Sequence, residues 1–337
     1  MTKQIRITKS ETRFVIQAFV LPSSLGIRAS SFSSMNLIKM LAIDFDLAVT
    51  LGSGQVFHWE KAGAGFVGAI GGRAVYVEQR GDSLLVSGED EGLFRNYFAL
   101  DHPLTEICAS FPDDPVISAA KQFCRGLRII RQPKWECLAT FICSSMKQVA
   151  HIRQISRNLR ERFGERRKVD PPSPRLRRGD AVVVSTFPSA ERIAESSEKE
   201  LRKCALGYRA KNLLATARLV ASGDVGVEKL AALSDVDLRS RLCELPGVGA
   251  KVANCVMLFA YERLRAFPID VWIERVLRQK YFPRSRKLNA ARLQAFTEGY
   301  FGDHGGYAQQ YLFHHARMSK AKTRSSGSAG RLSRSPA

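Results

Sequence analysis

At 337 residues with 45% hydrophobic content, the chain can bury a sizeable core and fits a soluble globular protein of one large or two modest domains. No run approaches the roughly 18 apolar residues of a membrane span, and 52 Lys and Arg against 32 Asp and Glu leave a net charge of +20, which favours a polyanionic partner, nucleic acid first. Seven cysteines, odd in number and scattered through apolar segments, read as reduced thiols of an intracellular protein, with no Cys/His cluster at zinc or iron–sulfur spacing.

The positive charge is not only terminal. Residues 1–34 carry five basic residues and one acidic, residues 318–337 carry five and none, and the body between them still holds +11. Residues 1–40 are Ser-rich and acid-poor, with Met35 and Met40 as alternative starts, so they read as a transit peptide or a dispensable leader. From Phe45 the run "GQVFHWEKAGAGFVGAIGGRAVYVEQRGDSLLVSG" sets short apolar stretches between Gly and Asp turn signals, and residues 41–125 are expected to form an antiparallel β-rich domain. After Asp101 the glycines thin out. Cys137, Leu138, Phe141, Ile142, Ser145, Val149, Ile152 and Leu159 then recur near helical spacing, one or two amphipathic helices of a helical domain spanning 126–317. The prolines and charges of 165–180 exclude regular structure there, leaving either a solvated insertion or a basic loop near phosphates. Beyond Met318 the hydrophobes stop and a disordered basic tail is expected over 318–337.

The sharpest local feature is "LPGVGAKVANC", residues 245–255. Leu238, Leu242 and Leu245 share one helical face; Pro246 and Gly247 end that helix, and a second starts near Gly249 with Val252, Cys255, Val256 and Phe259 as its apolar stripe. Such a helix-hairpin-helix leaves bare amides at a helix N-terminus, where backbone N–H groups and the helix dipole hold a phosphate. An ordinary tight turn between helices would use the same residues. Lys251 sits in the first turn of the second helix, a position suited to an amine nucleophile of the Schiff-base kind. Nineteen residues later Asp270 follows the apolar Ala266-Phe267-Pro268-Ile269, at a predicted helix N-terminus that it would also cap.

From about Phe45 to about Arg317, the separated segments "SGQVFHW", "RQPKWECLATFICSS", "LGYRAKN", "LPGVGAKVANC", "AFPIDVW" and "YAQQYLF" follow one another in family order. By these the chain resembles an 8-oxoguanine DNA glycosylase/AP lyase of the helix-hairpin-helix (HhH-GPD) DNA glycosylase superfamily. The resemblance implies an α+β fold, with the β-rich domain first and the helical catalytic domain second. It implies an enzyme of base excision repair that flips a damaged nucleotide out of the duplex. Lys251 would attack C1′ and Asp270 would stabilise the positive charge developing there. The base would lie between Cys255 and Phe313, with Gln309 at its pairing edge and the Gly54 carbonyl accepting the N7 hydrogen that guanine lacks. Gly247 and Gly249 would admit the DNA backbone, Tyr208 would wedge the vacated stack and Arg209 would read the orphaned cytosine.

Three positions depart from the family pattern. Met146 stands where an asparagine is expected and His151 where a second arginine is; an apolar Met146 can wedge between bases but cannot hydrogen-bond a cytosine. Trp272 replaces a histidine expected near the lesion's phosphate, and an indole donates one hydrogen bond but carries no charge. The resemblance implies no metal and no organic cofactor. Its partner is double-stranded DNA containing an oxidised purine, bound by a monomer and without a membrane, in the cytoplasm (nucleoid-associated) of a prokaryote or the nucleus or mitochondrion of a eukaryote. Two other functions compete: a glycosylase for an alkylated purine, which needs no lysine, and a non-catalytic DNA clamp, which has no use for a base sandwich.

Overall fold

A computed structural model describes residues 37–172, 181–285 and 287–329, with 321–329 as backbone alone. The chain opens with β1 (Leu37–Leu41) and α1 (Leu47–Gly52), the latter capped by the Asp46 carboxylate on the Val49 amide. β2 (Glu60–Ala62), β3 (Gly65–Ile70), β4 (Arg73–Arg80) and β5 (Ser83–Ser87) then form consecutive antiparallel hairpins, β4 joined to its neighbours by the two-residue turns Gly71-Gly72 and Gly81-Asp82. β1 returns to pair with β5, giving the five-stranded order β1-β5-β4-β3-β2.

Helices take over from α2 (Glu91–Tyr97), α3 (Leu104–Ala109) and α4 (Pro115–Phe123), so the expected β-rich stretch 41–125 is a sheet followed by three short helices. α5 (Lys134–Ser144) and α6 (Val149–Phe163) come next where spacing predicted one or two amphipathic helices; α6 is amphipathic, whereas α5 is buried on all sides from Glu136 to Ser144. After the ribbon of β6 (Arg166–Val169) and β7 (Val182–Ser185) come α7 (Ala190–Ala194), α8 (Glu198–Arg202), α9 (Arg209–Ala221), α10 (Asp235–Cys243), α11 (Ala250–Ala260), α12 (Val271–Val276), α13 (Ala290–Phe301) and α14 (Gly305–Ala329).

Three expectations are corrected. The leader does not extend to residue 40, because Leu37–Leu41 is an edge strand in register with Ser83–Ser87; the rest of the leader lies outside the described residues. The 165–180 stretch is not wholly irregular. Arg166–Val169 pairs with Val182–Ser185 before the prolines begin, and Val169 buries against Val67 and Tyr76 of the main sheet; positions 173–180 lie outside the described residues. The tail does not begin at 318 either. With no Gly or Pro from Tyr307 to Ser326, a helix nucleated by the buried turns of Tyr307 and Tyr311 propagates to Ala329.

Two large apolar clusters hold the molecule, beside the small one around Val169. One fills the space between sheet, α1 and α2, around Val77, Leu84, Phe94 and Phe98; the other is the helical core around Leu138, Leu213, Leu242, Val256 and Tyr311. They interlock: Phe57 from the sheet side sits in the helical core, and Ile130 from the segment leading to α5 sits in the sheet core. Buried polar groups pin the same seam. The Gln55 amide donates to the Arg128 carbonyl (2.8 Å) and accepts from the Ile130 amide (2.7 Å), while Gln132 donates back to the Gln55 carbonyl (2.8 Å). Glu136 of α5 and Arg160 of α6 form an ion pair at 9% and 5% side-chain exposure, with His58 at 3.5 Å from the same carboxylate oxygen. Burial, and then the charge of Arg160, hold His58 well below its ordinary value, so it is neutral. Replacing Glu136 by Ala strands a buried guanidinium, and denaturant unfolding is expected to show a loss of about 3–5 kcal/mol.

Candidate active site

Lys251 projects from the first turn of α11. That helix begins at Gly249, whose backbone is extended (φ −101°, ψ −179°) and which supplies no side-chain cap, so the first amides of an eleven-residue helix stay open. The hairpin before it depends on Gly247, which has φ +83° and no room for a Cβ: one built there would lie 2.8 Å from Cβ of Asn212 on α9. The Thr216 hydroxyl of α9 donates to the Pro246 carbonyl at 3.1 Å and ties the hairpin down.

The Lys251 amine turns inward onto the end of α5. Its Nζ donates to Ser144 Oγ at 3.2 Å and lies 5.3 Å from the centre of the Phe141 ring. The Ser144 hydroxyl proton is committed to the Phe141 carbonyl (2.8 Å), which leaves its lone pairs for the amine. From the sequence Phe141 was read only as part of a helical stripe and Ser144 not at all, although both stand inside the "FICSS" segment; which residue α11 leans on is a tertiary fact. One turn along α11, Cys255 is 4% exposed. Burial pushes its thiol up to about 11, opposed by the charge of Lys251 and reinforced by that of Asp270, so it is a neutral thiol at physiological pH. Asp270 caps α12 as predicted, and its Oδ1 accepts from both the Trp272 (3.0 Å) and Ile273 (2.9 Å) amides. Burial raises its carboxyl above the ordinary aspartate value, against the pull of the Ile273 amide and the Lys251 charge. Amine, thiol and carboxylate thus feel one another directly.

Residues far apart in sequence close the site. Gly54 has φ +90°, and a Cβ there would lie 3.0 Å from Cε1 of Phe313 on α14 and 3.1 Å from Nη1 of Arg317. The Gln310 amide donates to the Ser53 carbonyl (3.1 Å), holding the loop after α1 against α14. Gln309, 4% exposed, keeps its Oε1 buried without a hydrogen-bond partner among the described residues. A buried amide oxygen left unpaired costs roughly 1–3 kcal/mol, and a donor on an incoming ligand would relieve it.

The residues expected to meet the duplex divide into two groups. Met146 is 90% exposed at a left-handed backbone position (φ +58°) between α5 and α6, and Tyr208 is 59% exposed before α9. His151 is exposed in the first turn of α6. Arg209 does not reach outward: it is 5% exposed, its Nε donates to the Ser145 carbonyl at 2.7 Å with Nη2 on the same oxygen, and Nη1 donates to the Leu206 carbonyl at 3.2 Å. It therefore braces the turn that carries Met146, with its guanidinium 4.4 Å from the centre of the Tyr208 ring. Gly247→Ala is expected to lower stability by about 1–2 kcal/mol or more through the left-handed backbone, whereas Gly249→Ala, with nothing within 4 Å of its Cβ, stays within about 0.5 kcal/mol; thermal unfolding of the two variants separates these outcomes.

Residues 37–138 match the 8-oxoguanine DNA glycosylase N-terminal domain, and residues 139–299 match the HhH-GPD superfamily of base excision DNA repair proteins. The chain is 32% identical over 300 residues to the N-glycosylase/DNA lyase OGG1 of Arabidopsis thaliana, covering 82% of this chain and 78% of that protein. Among solved structures, it is similar to MBOgg1 in complex with a low-affinity DNA ligand (TM-score 0.77, 32% identity, 85% of this chain and 99% of that one). It is also similar to the Clostridium acetobutylicum 8-oxoguanine glycosylase/lyase bound to double-stranded DNA with cytosine opposite 8-oxoG (TM-score 0.75, 26% identity, 85% and 99%). The five-stranded sheet, the helical domain behind it and the hairpin that presents Lys251 place this chain in the 8-oxoguanine DNA glycosylase family of the HhH-GPD superfamily.

Proposed function

We propose that this protein excises 8-oxoguanine from duplex DNA and then nicks the strand, using Lys251 as the nucleophile. The observation that carries the reading is the inward Lys251 amine, one turn from a buried neutral thiol and within the field of a half-buried carboxylate. An amine placed for phosphate contact alone would point to solvent.

The damaged nucleotide leaves the stack, because its glycosidic bond is out of reach within it. The Gly54 carbonyl accepts the N7 hydrogen of the oxidised base, Cys255 and Phe313 enclose its faces, and the unpaired oxygen of Gln309 takes a donor from its pairing edge. Unmodified guanine would set its N7 lone pair against the Gly54 carbonyl, a mismatch of roughly 1–3 kcal/mol. As the C1′–N9 bond lengthens, positive charge grows on the sugar and Asp270 stabilises it. Once it has given up a proton, the Lys251 amine forms its bond to C1′ while the base departs with the bonding pair and takes up a proton. Loss of a proton from nitrogen and opening of the sugar ring give the Schiff base. Removal of a C2′ proton then breaks the C3′–O3′ bond and nicks the strand on the 3′ side. Every residue invoked comes from one chain, which supports action as a monomer.

Borohydride is expected to trap the wild-type protein on 8-oxoguanine duplex and to trap Lys251→Gln at least a hundredfold less. The rate should fall on the acid side as Asp270 takes up its proton, and since burial raises that carboxyl, the limb lies above the range of an exposed aspartate. Asp270→Asn should lower excision by about 10²–10³-fold and remove that limb; an unchanged pH–rate profile in Asp270→Asn counts against the assignment.

With Met146 apolar and Arg209 turned inward, His151 is the remaining polar group of the expected set on the side of the orphaned base. Excision rates with 8-oxoguanine opposite each of the four bases are therefore expected to lie within about tenfold, a spread worth a single hydrogen bond.

A further inference from the structure

The loop that follows α1 is held from α14 at two consecutive carbonyls. The Gln310 amide donates to the Ser53 carbonyl at 3.1 Å, and Nη2 of Arg317 donates to the Gly52 carbonyl. These two side chains stand two turns apart on α14, so they share a helix face with Phe313 and His314 between them. Just upstream, the Thr50 carbonyl accepts from the Ser53 hydroxyl (2.8 Å) and the Gln55 amide (3.3 Å). The carbonyls of Thr50, Gly52 and Ser53 are thus all engaged. Among the described residues, none donates to the carbonyl of Gly54, the next in line.

Arg317 is the longer arm of this clamp. A Cβ built at Gly54 would lie 3.1 Å from its Nη1 and 3.0 Å from Cε1 of Phe313, so guanidinium and ring together close over a residue whose φ of +90° already calls for glycine. The guanidinium is 5.5 Å from the centre of the Phe313 ring and backs it. Nη2 also donates to Nδ1 of His314 at 3.3 Å. Burial and then the Arg317 charge bring that imidazole down to about 4, so it is neutral and able to accept. The Nε of Arg317, by contrast, is buried with no partner among the described residues. A buried N–H left unmet opposes folding, so stability alone does not account for this placement; what it secures is the Gly52 carbonyl.

We propose that Arg317 is a specificity-determining positioning residue: by fixing the Gly52 carbonyl and backing the Phe313 ring, it keeps the Gly54 carbonyl aimed at the base and so sets the preference for an oxidised purine over guanine. The inference rests on the glycosylase reading, which supplies the base. A free carbonyl selects only while it keeps its direction. In a loose loop the Gly54 peptide can rotate away from the N7 lone pair of guanine, and the penalty on the undamaged base fades. In a clamped loop that rotation is blocked, and carbonyl and lone pair meet without relief. No step at C1′ uses Arg317, so the chemistry proceeds without it while selection is lost.

The test uses the full chain carrying Lys251→Gln, which binds without turnover, as the parent. Its affinity for duplexes holding 8-oxoguanine or guanine at one position is measured by fluorescence anisotropy at fixed salt, beside the same protein with Arg317→Met and with Arg317→Lys; thermal unfolding checks that each variant is folded. The ratio of the guanine to the 8-oxoguanine Kd should fall about tenfold in Arg317→Met, the worth of a single hydrogen bond, through weaker binding of the 8-oxoguanine duplex alone. Arg317→Lys keeps a cation for the ring and a donor for the Gly52 carbonyl, and should restore most of the ratio. With Lys251 in place, Arg317→Met should raise the KM for 8-oxoguanine duplex and leave kcat near its wild-type value. An unchanged ratio in Arg317→Met, or a ratio that Arg317→Lys does not restore, overturns the proposal. So does an equal loss on both duplexes, which would make Arg317 an ordinary DNA contact. A parent that binds the two duplexes alike fails the glycosylase reading and the clamp with it, whereas a parent that discriminates beside an Arg317→Met protein that discriminates equally well sinks the clamp alone.

Discussion

The contact between the Lys251 amine and the Ser144 hydroxyl, made where α11 leans on the last turn of α5, organises the rest of the site. Ser144 is the last residue of α5. The next residue offers its carbonyl to Arg209, and the one after that is the exposed, left-handed Met146. Three consecutive residues thus seat the Lys251 amine, receive the Arg209 brace and expose Met146. If Lys251 and Met146 act as proposed, a shift of Met146 would move the floor under the amine and link extrusion of a nucleotide to attack on its sugar.

The charge of the protein is distributed less simply than its total of +20 suggests. Arg128, Arg160 and Arg209 are interior residues whose guanidinium groups go to backbone carbonyls or to the buried Glu136 carboxylate. They hold the sheet to the helices, α5 to α6 and the wedge turn to α9. These basic residues serve architecture. The electrostatic attraction toward a polyanion must come from the remainder.

Much of the site was legible because its signals are local. The hairpin glycines, the lysine one turn inside a helix, the thiol four residues on and the capping Asp270 are all set by helix geometry, and the structure places them accordingly. Gly54, Gln309 and Phe313 carry no such signal: a glycine after α1 and a phenylalanine on α14 meet only through packing, and family resemblance alone pointed to them. Arg209 shows the converse limit, since an arginine beside an exposed tyrosine does not reveal which of the two turns inward. The boundaries fared worst for a plain reason. β1 needs β5 to exist, β6 needs β7, and the end of α14 is propagated from buried turns upstream, so composition near each boundary is a poor guide to where order begins.

The ribbon of β6 and β7 has a consequence for what anchors this part of the molecule. Its ladder, from Arg166 opposite Ser185 to Val169 opposite Val182, closes the chain on itself before the intervening residues depart, and Val169 and Val182 pack at the outer side of the sheet with Val67 and Tyr76. The ribbon is thus held to the main sheet by its own paired valines, so its anchorage is a matter of strand packing and not of the basic residues around it.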